Sequence, residues 1–131
     1  MKLFGTVEAH CDVPCGIYET DTMRHAAATC KVMVTKALDM GAEASPEHDN
    51  NYVRMVMTKE RHAERVKHEV AVLWGDYFKP EHLEAHPELH DLIWRTLKQA
   101  SRVKQTMSIE EADKLIALVD EVAEVFAATK R

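Results

Sequence analysis

Apolar residues in this chain recur three and four positions apart over four successive stretches, and that spacing restricts it to helices. From Thr22 to about Met40 the apolar positions are Met23, Ala26, Ala27, Cys30, Val34 and Ala37, one stripe on a 3.6-residue period. Gly41 follows and predicts the stop. Ser45-Pro46 opens the second stretch, with Ser as N-cap and Pro at the first helical position. Its stripe runs through Tyr52, Val56, Ala63, Val66, Val70, Leu73 and Trp74. The other side carries Lys59, Glu60, Arg61, Glu64, Arg65 and Lys67, which reads as a solvated face. Pro80 lies beyond its end. A third helix begins near Pro87, with Leu89, Leu92, Ile93, Leu97, Ala100 and Val103 on one side. The fourth opens on a capping box, Ser108-Ile109-Glu110-Glu111, in which Ser108 and Glu111 satisfy each other's unpaired N–H groups. It continues through Leu115, Ile116, Val119, Val122, Ala123 and Phe126.

With four Gly, four Pro and 6% aromatic residues the chain lacks the turn residues of a β-sandwich. Its 131 residues suffice for one core and not for two. The expected fold is all-α: an up-and-down four-helix bundle over about residues 22–129, preceded by an irregular N-terminal segment. A net charge of −5 argues against a nucleic-acid partner, which would call for a basic face. No apolar run approaches the ~20 residues of a membrane span. Three cysteines, an odd number, make a poor disulfide framework and point to reduced thiols and a cytoplasmic setting.

The segment that carries chemistry is His10-Cys11-Asp12-Val13-Pro14-Cys15-Gly16-Ile17-Tyr18. It places one imidazole and two thiols within six residues. Pro14 fixes φ and Gly16 permits a tight bend, so the segment can close into a hook that brings both sulfurs together. Two thiolates and an imidazole would first suggest zinc. The same pair of cysteines could equally form a disulfide or stay unused, and spacing alone leaves these alternatives open.

The hook resembles the H-C-x-x-P-C-G-x-Y segment of the nickel-containing superoxide dismutases. The stretch Val72-Leu73-Trp74-Gly75-Asp76-Tyr77-Phe78-Lys79-Pro80, followed by Pro87-Glu88-Leu89-His90, is similar to that family's second motif. The resemblance covers nearly all of the chain from His10 onward. It implies an oxidoreductase that disproportionates superoxide to oxygen and hydrogen peroxide by Ni(II)/Ni(III) cycling, with one nickel ion per chain. It implies that residues 1–9 are a cleaved extension and that residues 10–131 are one domain, with the hook at 10–18. The ligands it implies are His10, Cys11 and Cys15. By that resemblance the freed amine of His10, the amide nitrogen of Cys11 and the two thiolates would form a square plane around nickel, with the His10 imidazole as axial ligand of the oxidised metal. An amine and the next amide nitrogen close a five-membered ring only at a chain start, and a square plane suits Ni(II) rather than zinc. A homohexamer, a processing protease and a possible nickel chaperone are the further partners implied. The rival readings are a non-catalytic nickel- or zinc-binding bundle and a thiol-disulfide protein built on Cys11 and Cys15.

By the same resemblance Tyr18 and Tyr77 line the approach to the metal, and Asp12 is an acidic hook residue. Lys79 could steer an anion towards the site or stand as an ordinary solvated lysine. In two linked positions the chain departs from the family. The glutamate that supports the axial histidine falls at Ala26, and the arginine paired with it falls at His62. His62 is therefore the candidate for a rebuilt support. His82, His86 and His90 are four apart, but a helix start near Pro87 keeps them off one face, and no second metal site is expected. Cys30, on the apolar stripe, reads as core.

Overall fold

The stripe between residues 22 and 40 folds as α1 (Asp21–Asp39), and its six apolar residues are all buried. Gly41 ends it with φ +73°, the left-handed conformation that a Cβ would penalise. The Gly41 carbonyl then accepts a hydrogen bond from His48 Nε2 at 3.0 Å. These facts come from a computed structural model, which describes residues 16–130.

The second helix, α2, spans Pro46–Val72 with Ser45 as N-cap, its hydroxyl accepting from the His48 amide at 3.0 Å. At Leu73–Tyr77 it widens into a π-helical turn, closed by the Phe78 amide donating to Leu73 O at 2.8 Å. Pro80–Ala85 forms a six-residue helix, α3, which the apolar spacing did not announce. The long third stretch becomes α4 (Leu89–Gln105), starting two residues after Pro87, and the last becomes α5 (Ile109–Thr129). Among the described residues the architecture is thus four long helices and one short one, with no strand.

Each long helix packs on two others: α1 on α2 and α5, and α4 on α2 and α5. That closed ring, joined by short connections, is the up-and-down bundle. Its interior holds Met23, Val66, Val70, Leu89, Leu92, Leu115, Val119 and Val122, all but sealed from solvent. Truncating a leucine here to alanine costs about 2–5 kcal/mol, the transfer term plus the cavity left behind.

Three expectations need correction. Lys59, assigned to the solvated face of α2, is 2% exposed. Its ammonium donates to Lys104 O at 2.9 Å and Thr106 O at 2.7 Å, two carbonyls at the C-terminal end of α4 that have no helical partner. Burial pushes this ammonium below its ordinary value, and the nearby Glu60 carboxylate opposes that. Because α4 ends level with Lys59, the first three turns of α2 run past it. Tyr52, expected in the core, is consequently exposed, with Val53 and Met57 beside it. The capping box is half formed: Ser108 Oγ accepts from the Glu111 amide at 3.2 Å. The Glu111 carboxylate turns instead to α4, where Oε1 accepts from Gln99 at 2.8 Å and lies 3.6 Å from Arg102. A donor and a cation on the neighbouring helix outcompete one exposed amide.

Candidate metal centre

His10, Cys11, Asp12 and Cys15 lie outside the described residues. Gly16 has φ +73°, the bend the sequence predicted at this glycine. Two residues on, Tyr18 is half-buried and packs on Tyr77, their ring centroids 5.3 Å apart. The two tyrosines singled out in the sequence, 59 positions apart, are thus brought together, and Cys15 is three residues from the contact.

Tyr77 owes its place to the π-helical turn that ends α2. Its ring meets Phe126 of α5 at 4.8 Å and Phe78 at 5.3 Å, and stacks on His82 at 5.5 Å. Its hydroxyl lies 2.6 Å from Thr129 Oγ1, and Lys130 Nζ lies 5.1 Å from its ring centroid. A cation over an aromatic face is an attractive arrangement. Neither Thr129 nor Lys130 carried a signal in the sequence, since both sit at the end of a helix among small residues. Lys79 is exposed, and its amide donates to His82 Nδ1 at 3.0 Å to start α3.

The three spaced histidines go separate ways. His82 stacks on Tyr77, His86 Nδ1 lies 3.7 Å from Glu88, and His90 meets Trp74 edge-on at 4.7 Å. Among the described residues no three His, Cys, Asp or Glu side chains gather as a metal site. Cys30 is fully buried, its thiol donating to Lys59 O at 3.6 Å, and burial pushes its pKa up to about 11. Such a thiol is not thiolate at neutral pH and is a poor metal donor.

Ala26 and His62, the two departures from the family pattern, line one open cleft of about 420 Å³ together with Thr22, His25, Thr29 and Arg65. The cleft opens at the first turn of α1, four residues after Tyr18. His62 Nδ1 donates to Thr58 O at 2.8 Å, which fixes its tautomer and leaves Nε2 for another partner. His25 and Arg65 were not picked out in the sequence. They join the cleft because α1 and α2 run side by side there.

A sequence model of the family described as nickel-containing superoxide dismutase matches residues 5–130. A superoxide dismutase [Ni] from Streptomyces coelicolor is 38% identical over 126 residues, which is 96% of this chain and 92% of that protein. One from Streptomyces seoulensis is 34% identical over 95% of this chain and 91% of its own. In three dimensions, the native structure of a nickel superoxide dismutase superposes with a TM-score of 0.81 at 37% identity, covering 93% of this chain and 100% of that one. A crystal structure with nickel ligation of the oxidised state gives 0.83 at 33% identity, over 92% and 98%. Agreement over nearly the full length in both sequence and fold is what common descent leaves: the chain belongs to the nickel-containing superoxide dismutase family.

Proposed function

We propose that this chain is a superoxide dismutase with one nickel ion held by His10, Cys11 and Cys15. It converts two superoxide anions and two protons to oxygen and hydrogen peroxide. The observation that carries the reading is the family match over residues 5–130, with the hook intact inside it. The relatives bear the name superoxide dismutase over nearly their whole length, which disfavours the non-catalytic bundle and the thiol-disulfide protein. When bound, nickel supplies a one-electron couple that anionic thiolate and amidate donors bring into the range superoxide requires.

The rest falls to the polypeptide. Tyr18 and Tyr77 form the wall where the hook meets the bundle and narrow the approach to small molecules. Asp12 contributes the acidic side chain of the hook. Lys79 and Lys130 provide positive charge that attracts an anion, an effect that weakens as salt rises. His62, with Nε2 free and Ala26 leaving room, supports the His10 imidazole. In support, Ala26 and His62 share one cleft next to the first turn of α1.

The working protein begins at His10, because only a free amine there completes the five-membered ring with the Cys11 amide. We assign the enzyme to the cytoplasm and to a homohexamer in which neighbouring bundles clamp each hook, since a short irregular segment gains order only by packing. Among the described residues no helix is long and apolar enough to cross a membrane. Intact mass spectrometry, light scattering and nickel analysis of one active preparation test the reading. The expected result is a chain starting at His10, six chains per particle and one nickel per chain. Full activity in an uncut or nickel-free monomer would overturn it.

A further inference from the structure

The Tyr77 hydroxyl lies 2.6 Å from Thr129 Oγ1, and Thr129 Oγ1 in turn donates to Phe126 O at 2.6 Å. A threonine hydroxyl has one proton. Here it is committed to the Phe126 carbonyl, so the proton between Tyr77 and Thr129 belongs to the phenol. Tyr77 is the donor. The ring cannot easily turn away, because Tyr18, Phe78, His82 and Phe126 pack around it. With its only proton held by α5, the phenol oxygen offers lone pairs alone to any small molecule that reaches it. Superoxide, which has no proton, gains no hydrogen bond there. Water and hydrogen peroxide, which carry protons, do.

We propose that Thr129 is a positioning residue for the dismutase site: by taking the Tyr77 proton it holds Tyr77 as a fixed acceptor toward proton-bearing species, namely the water that supplies protons and the peroxide that leaves. This rests on the reading of Tyr77 as part of the site wall. Tyr77 then does not protonate superoxide; it orders the molecules that do.

The test compares the full enzyme with Thr129→Val, which keeps shape and loses the hydroxyl, Thr129→Ser, which keeps the hydroxyl, and Tyr77→Phe. Ultraviolet resonance Raman of the tyrosine doublet separates a donating phenol from an accepting one, and it is read with and without nickel. Subtracting the Tyr77→Phe spectrum isolates Tyr77 from Tyr18 and Tyr52. The expected parent signal is that of a strong donor, retained in Thr129→Ser and lost in Thr129→Val. In Thr129→Val kcat should fall about three- to tenfold, the weight of one neutral hydrogen bond, with the salt dependence of kcat/KM unchanged. A parent signal of an accepting phenol overturns the proposal, and so does a Thr129→Val enzyme with parental kcat while Tyr77→Phe is slowed. If Tyr77→Phe matches the parent in both kcat and KM, Tyr77 is not at the site, and the proposal falls with that reading. Should the valine variant not fold, the parent spectrum and the serine variant decide the matter.

Discussion

Replacing Lys59 by methionine keeps the buried stem and removes only the ammonium. Two carbonyls, Lys104 O and Thr106 O, then lose their donor at the end of α4. Each buried acceptor left unpaired costs about 1–3 kcal/mol. Against that, the fold no longer has to strip water from a charge, an offset of several kcal/mol in principle that is reduced here because the ammonium sits on two carbonyl dipoles. Glu60 Oε2, buried without a hydrogen-bond partner among the described residues, loses the attraction of the Lys59 charge as well. The orphaned groups outweigh the relief, and the expected net loss is about 2 kcal/mol. In urea, with a slope of roughly 2 kcal/mol per molar for a chain of this size, the midpoint should drop by about 1 M at unchanged slope. Amide exchange should rise at the last turn of α4 and the first of α5. A methionine variant with a parental midpoint and parental exchange would show that the ammonium does not tie α2 to the end of α4.

Other outcomes follow from the same structure. Serine at Cys11 or Cys15 should abolish nickel binding and activity, whereas Cys30→Ala should retain both and lose on the order of 1 kcal/mol of stability; a Cys15→Ser enzyme that still turns over would remove the hook from the mechanism. The Cys30 thiol, raised from 9.0 to about 11, stays protonated in the fold while the unfolded chain ionises first. Its contribution is therefore full below pH 9 and lost as pH rises to about 11, and the parent should lose stability over that window more steeply than Cys30→Ala, as read by urea titration at several pH values. His62→Ala should change the electron paramagnetic resonance of the oxidised enzyme and its rate–pH profile, with His62→Arg giving a third spectrum; three identical spectra would place the imidazole's support elsewhere.

What the sequence disclosed followed from periodicity. The α1 stripe was read residue for residue because six apolar side chains at helical spacing have one face to hide. Ser45 and Gly41 were legible because capping and the left-handed stop each demand a particular chemistry. Lys59 was missed for its type, yet its position was visible. The α2 stripe jumps from Val56 to Ala63, and residue 59 fills the missing step. Thr96, four residues from both Leu92 and Ala100 in α4, was missed for its type as well; it is buried and donates to Leu92 O at 2.7 Å. The short helix α3 escaped because six residues cannot show a period, and the π-helical turn because one wide turn changes no residue's polarity. The hook was legible through the family's motif; spacing alone left a metal, a disulfide and idle thiols open. Thr129 was beyond reach, since its part depends on which of two hydroxyls gives its proton.

One tyrosine touches residues from both ends of the described chain: Tyr77 meets Tyr18 on one side and Thr129 and Lys130 on the other. A ribosome adds about 5–20 residues per second, so on the order of ten seconds separate the emergence of Tyr18 from that of its last neighbours. Through that interval the cysteine-bearing hook has no finished wall to settle against. If the hook holds the metal as proposed, metal loading awaits the completed polypeptide, and the nascent thiols need a reducing environment until then. The same arrangement bears on handling in the laboratory. An affinity tag fused after Arg131 would begin next to the lysine that covers Tyr77, so a tag-free C-terminus is the safer preparation for kinetics.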